Sequence, residues 1–366
     1  MDIQVEKKHP KQIGRTSVLQ QTAYWSEVKR KQGFEPKAFD IRVRRNDHFI
    51  IDDLLMIVQD IGNGFRIGYV PYGPTMVPDE ESQGEFLEEL SDLIRPRIND
   101  RCIALRYDLS WESFWAKDDA FYEENDTWKG PPPVMNQELR INFNTKKWNL
   151  RKSSTNILPS DTLFIDLSQT EEELLRQMRA KTRYNIRLSY RRGVRIRKAS
   201  FNELDTWYKL YKETCKRNKI HLHDFEYFKT VLGTGADDCL SPAEVELLFA
   251  EKNRQPLAAM FLSYSGQRAT YLYGASSSAK RNHMATYALQ WDAIRRAKGK
   301  GYKEYDMFGV APHPNPGHPL YGLHRFKTGF GGHIYHRLGC WDYPFDAEKY
   351  EMFLSAEMNG QGYHLF

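Results

Sequence analysis

The order of short apolar segments is the same in both halves of the chain, and this repeat restricts the fold more than any other feature. In the first half, Phe39–Arg45 and Asp53–Val58 alternate like strands, and Gly68–Gly73 follows as a third. A polar, acidic stretch from Pro78 leads into Phe86, Leu87, Leu90, Leu93 and Ile94, the spacing of an amphipathic helix. Cys102–Asp108 then reads as a strand ending on Asp108. In the second half, Val245–Ala250 and Ala258–Tyr264 are strands, with a turn at Ser265-Gly266, and Thr270–Gly274 matches Tyr69–Gly73. A helix with Leu289, Ala293, Ile294 and Ala297 stops at Gly299 and Gly301, and Tyr302–Met307 closes the unit, carrying Asp306. From Tyr72 to Asp108 is 36 positions, and from Tyr273 to Asp306 is 33.

The fold class this predicts is α/β (α+β), with a duplicated unit. At 366 residues the chain has the length of two domains. Domain one covers 1–158 and takes back 339–366 through Gly339–Pro344 and a helix over Ala347–Ser355. Domain two covers 159–338 and opens at the strand Thr162–Leu167 and the capping box Thr170-Glu-Glu-Glu173. Between the copies, Leu109–Leu158 reads as irregular, with a stiff turn at Pro131–Pro133.

Composition excludes several classes. Hydrophobic residues at 40% and aromatics at 13% favour globular folding over disorder. Cys102, Cys215, Cys239 and Cys340 are scattered with no CxxC pair, which fits a reducing cytoplasm and neither a zinc ribbon nor a disulfide scaffold. The first ten residues have no apolar core of a signal peptide, and no apolar run reaches the roughly 20 residues that span a bilayer. Any membrane contact is therefore expected to be peripheral. His313, His318, His324, His333 and His336 fit no zinc spacing and read as loop residues.

The net charge of +5 is unevenly spread. From Arg176 to Lys198 there are ten Lys/Arg and no acid. Read as one helical run, it sets Arg183, Arg187 and Arg191 on one stripe at i, i+4 spacing. Such a stripe attracts phosphates, although a solvated helix face is the plainer reading. Near the end of domain two, Tyr321-Gly-Leu-His-Arg-Phe-Lys-Thr-Gly-Phe-Gly-Gly332 places the lone cation Lys327 on a loop after Phe326 and before glycines. A solvated surface lysine would look the same.

The segments Lys181–Arg187, Tyr271–Gly274, Met284–Gly309 and Phe326–Gly332 recur in the order of the FemABX family, and the chain resembles its shorter members from roughly residue 19 to 353. The resemblance implies two tandem GNAT-like acyltransferase domains with mixed, mostly antiparallel sheets. It also implies transfer of an amino acid from aminoacyl-tRNA to a peptidoglycan precursor, either UDP-MurNAc-pentapeptide or lipid II. No cofactor is implied; aminoacyl-tRNA is a co-substrate. A monomer in the cytoplasm, at most touching the inner face of the membrane, is the expected setting.

Residue by residue, the resemblance makes Lys29 a phosphate-binding lysine, with His223 where the family has an arginine, and Tyr227 and Tyr273 substrate-contacting tyrosines. Asp108 stands where a general base has been considered, its plainer role being to cap a turn. Lys327 would stabilise an oxyanion or hold the terminal phosphates of tRNA, and Phe326 would stack on a base, shape the pocket or fill the core. The arginine stripe would face tRNA. Alternatives are an acetyl-CoA-dependent N-acyltransferase, a non-catalytic tRNA- or precursor-binding protein, and a leucyl/phenylalanyl-type transferase. Lys280–Thr286 has no glycine with which to cradle a pyrophosphate, which counts against acetyl-CoA.

Overall fold

The computed structural model describes residues 1–45, 48–218, 222–235 and 237–359. It divides into two units. Unit 1 holds Met1–Ser160, Ala236–Pro242 and His336–Phe366, and unit 2 holds Asp161–Gly235 and Ala243–Tyr335, so far as these are described.

Unit 1 contains β1 (Ile3–Lys8), α1 (Ala23–Lys31), β2 (Glu35–Arg45), β3 (His48–Gly62) and β4 (Phe65–Pro71). α2 (Gln83–Ile94), β5 (Cys102–Glu112), α3 (Val134–Asn142) and β6 (Arg151–Lys152) follow. Unit 2 contains β7 (Asp161–Asp166), α4 (Glu171–Gln177), α5 (Ala180–Arg191), β8 (Arg195–Lys198), α6 (Leu204–Asn218) and α7 (Phe225–Gly233). It continues with β9 (Glu244–Lys252), β10 (Gln255–Ser265), β11 (Arg268–Ser276), α8 (Ala285–Gly299), β12 (Glu304–Gly309) and α9 (Tyr321–Lys327). β13 (His333–Pro344) enters unit 1 at His336, and α10 (Ala347–Asn359) ends the described chain.

Both units repeat one strand pattern. β1 through β4 are antiparallel neighbours, β4 pairs in parallel with β5, and β5 and β6 both pair antiparallel with β13. In unit 2, β8 through β11 are antiparallel, β11 pairs in parallel with β12, and β12 pairs antiparallel with β7. The sheets are thus mixed and mostly antiparallel. A helix, α2 or α8, forms each crossover to the parallel strand, as such a connection requires.

The apolar periodicity explains the packing. α2 buries Phe86, Leu87, Leu90 and Ile94 against Phe39, Ile41, Leu54 and Met56. α8 buries Leu289, Ala293, Ile294 and Ala297 against Met260, Leu262 and Tyr305. Each fully buried large aliphatic contributes about 1.5–3 kcal/mol. Thr170 caps α4 as the sequence indicates, its hydroxyl accepting from Glu173 N.

Two local expectations are corrected. The stretch Leu109–Leu158 is not irregular throughout: β5 runs on to Glu112, and α3 starts directly after the three prolines. Proline lacks an N–H that a helix start would leave unbonded anyway, so it can lead into a helix as well as form a turn. The basic run is not one helix. α4 ends at Gln177, Met178 and Arg179 are extended, α5 ends at Arg191, and Arg195–Lys198 is a strand.

Candidate functional site

The glycines after Lys327 are there for close approach. Gly332 has φ +82°, and a Cβ on it would collide with the carbonyl oxygen of Phe164 on β7. Only glycine lets this segment lie flat against the strand. The chain is thereby drawn inward, and Lys327 comes with it at the last turn of α9. Its side chain is 4% exposed, not solvated, and it lies on a helix, not a loop. Nζ donates to the carbonyl of Gly309 at 2.6 Å and of Phe308 at 3.3 Å, and lies 5.4 Å from the centre of the Tyr271 ring. Burial pulls the ammonium down to about 7, against the opposing charge of Asp306.

The carbonyls that hold Lys327 are presented by an irregular strand end. The register of β12 against β7 shifts between Asp306 and Gly309, and Phe308 has φ +59°. Asp306 fixes this bend by accepting from Phe308 N at 2.7 Å and from the hydroxyl of Thr162. Phe326 is half-buried against Tyr287, at 5.0 Å and 75°, and Phe330, at 5.3 Å and 75°.

A second cluster lies on the other face of β11. Tyr227 and Tyr273 bring their hydroxyls within 2.5 Å, and the His223 ring stacks on Tyr227 at 4.5 Å and 14°. Asp224 accepts from Tyr227 N at 2.7 Å, capping α7 and fixing where Tyr227 points. Phe228, Phe261 and Trp207 pack behind, and burial pushes the Tyr227 hydroxyl up to about 12. Ile220 and His221, at the head of the His223 stretch, lie outside the described residues.

Strand alternation would put Tyr271 and Tyr273 on one face. A bulge separates them, because Phe261 pairs with Tyr273 while the next residue, Leu262, pairs with Tyr271. Leu272 is the extra residue, and the side chains on either side of it point to opposite faces. Tyr271 is therefore the neighbour of Lys327, a role that residue spacing alone conceals.

In unit 1, Lys29 is 2% exposed, with its ammonium 5.2 Å from the Trp25 ring and 5.3 Å from the Phe34 ring. Burial lowers its pKa to about 8. Asp108 does not end its strand. It is fully buried within β5, accepts from Leu158 N at 2.7 Å and Tyr69 Oη at 3.1 Å, and is pushed upward by burial.

The three-arginine stripe is reduced to two. Arg183 folds back to the end of α4, donating to the carbonyls of Leu175 (3.3 Å), Arg176 (3.4 Å) and Met178. These are orphan carbonyls that a nearby guanidinium readily satisfies. Arg187 and Arg191 remain exposed, Arg191 lying 6.0 Å from the ring of exposed Tyr184. The histidines are not all on loops either. His324 is buried in α9 with Nδ1 2.8 Å from Ala311 O, and His333 and His336 lie on β13, where His336 stacks on Trp128 at 3.8 Å.

Comparison with known proteins gives consistent results. The FemAB family profile matches residues 7–240 and 241–357. A lipid II:glycine glycyltransferase of Staphylococcus haemolyticus is 21% identical over 272 residues, which is 58% of this chain and 65% of that protein. The protein of the same name from Staphylococcus epidermidis is 22% identical over 281 residues, covering 61% of this chain and 67% of its own length. The chain thus spans about two thirds of these relatives, and less than that of the first. The crystal structure of FemX superposes with a TM-score of 0.71 at 19% identity, covering 95% of this chain and 100% of that one.

Proposed function

The chain belongs to the FemAB family, and from that premise we propose that it transfers an amino acid from aminoacyl-tRNA to the side-chain amine of a peptidoglycan precursor's stem peptide, forming an interpeptide bridge. The observation that carries this reading is the buried Lys327 ammonium, held at the end of β12 beside Tyr271. In this reaction an amine nitrogen attacks the ester carbonyl of the aminoacyl group. Charge builds on the carbonyl oxygen, the bond to the ribose oxygen breaks, and that oxygen leaves with a proton. Two donors of Lys327 are engaged by Gly309 and Phe308, and the ammonium keeps a third for the developing oxyanion. Its surroundings have low polarity, where one fixed cation acts more strongly than in water.

The remaining residues divide the work. Tyr227 and Tyr273 offer paired hydroxyls beside His223 for a polar group of the acceptor. Lys29 offers a second buried cation for its phosphate. Arg187 and Arg191 take the tRNA backbone. Asp108, fully buried with its Oδ2 held by Leu158 N and Tyr69 Oη, serves as a structural carboxylate and not as the base. Phe326 supports the helix that carries Lys327.

The deciding experiment incubates the protein with total charged tRNA and either UDP-MurNAc-pentapeptide or lipid II, then weighs the product. An added aminoacyl mass supports the proposal. Acetyl transfer from acetyl-CoA, with nothing transferred from charged tRNA, overturns it. With an active preparation, Lys327→Ala should lower kcat by roughly 10²–10³ under single-turnover conditions at saturating tRNA. A normal chemical rate would leave Lys327 as a binding or packing residue only.

A further inference from the structure

α3 carries its apolar side chains on the outside. Met135, Leu139 and Phe143 stand at i, i+4, i+8 and are 69%, 50% and 67% exposed, with Val134 at 51% beside them. Trp148, in the turn that follows, is 45% exposed. The inner face is already satisfied. Gln137 and Ile141 are buried, and Asn142 is clamped to Leu150 by bonds of 2.9 and 3.1 Å. A water-facing stripe of large apolar side chains on a well-anchored helix marks a contact surface.

We propose that the outer face of α3, with the turn after it, is a docking surface for an anionic lipid bilayer. Charge selects this occupant. Lys146, Lys147 and Arg151 are exposed at the Phe143 end of the stripe. Asp92 pairs with Lys147 at 2.6 Å, so Lys146 and Arg151 supply the charge of this end; Glu81 pairs with Arg140 at 2.7 Å, and Glu88 and Glu138 accept from the backbone N–H groups of Lys146, Lys147 and Lys152. The acidic stretch 118–126 precedes the helix, so the apolar stripe supplies most of the affinity and the basic end orients it. A half-exposed tryptophan beside lysines suits the headgroup level. No described helix is long and apolar enough to cross a membrane, so the contact is peripheral.

The test is co-sedimentation of the intact chain with vesicles of phosphatidylcholine alone or rich in phosphatidylglycerol. The protein should partition into the anionic vesicles more strongly, and less so at high salt. Met135→Ser/Leu139→Ser/Phe143→Ser should weaken partitioning at least about tenfold while circular dichroism stays unchanged. Lys146→Glu/Arg151→Glu should weaken it on anionic vesicles only. The triple variant should still act on a soluble acceptor, which separates a failure here from a failure of the proposed reaction. Absence of vesicle binding by the native chain, or equal binding by the triple variant, overturns the proposal. So does a native dimer that the triple variant dissolves with no change at vesicles.

Discussion

Lys327 and Lys29 are both buried lysines whose charge the fold opposes. Their pKa values fall to about 7 and about 8 from an ordinary 10.5. Between pH 7 and 10.5 the unfolded chain holds a proton on residue 327 that the folded chain has released. Stability from this group therefore rises with pH through that window. Thermal unfolding of the native chain and Lys327→Met should show a stability difference that is flat below pH 7. Above it, the native chain should gain by up to about 1.4 kcal/mol per pH unit. A flat difference to pH 10 would mean that Lys327 keeps its proton. The same value bears on the reaction. If the charged form stabilises the oxyanion, the single-turnover rate should lose a factor as pH rises through 7 that Lys327→Arg does not lose, because arginine stays protonated. A shared limb in both enzymes would assign it to another group.

Among the elements, α10 owes its place to charge as well as to packing. Arg106 on β5 reaches Asp342 at 2.7 Å through two nitrogens and Glu357 on α10 at 2.6 and 3.0 Å, all three buried. Tyr350 adds a bond to Asp342 at 2.8 Å, and its ring packs with Ile67 and Ile103. Arg106→Met would strand two carboxylates in the interior and should cost about 3–5 kcal/mol in denaturant unfolding. Glu357→Gln keeps the shape but loses the charge, so the amides of α10 should exchange faster while those of β5 keep their protection. Equal protection of α10 in both proteins would show that apolar contacts alone hold it.

On the scale of the whole chain, the prediction concerns tRNA. Arg187→Ala/Arg191→Ala should weaken binding and flatten the slope of log K against log salt by about one per arginine, as phosphate contacts are lost. Arg183→Ala should change stability and leave the slope alone, because that guanidinium is spent on the end of α4. Equal slopes for native and double-variant proteins would remove α5 from the interface. The duplicated order of strands and helix was legible in the sequence, because apolar period two and period 3.6 are local properties of a chain. So were the cap at Thr170, the crossover helices and the segments that mark the family. What the side chains face was not legible. Lys327 reads as a solvated loop charge until Gly332 is seen pressed on β7, and Arg183 joins a stripe until the break at Met178 gives it carbonyls to cap. Tyr271 and Tyr273 share a face until one extra residue in β11 turns them apart. Periodicity fixes which segments become strands and helices. Burial, register and the partner of each charge depend on contacts between distant segments, and only the folded chain supplies those.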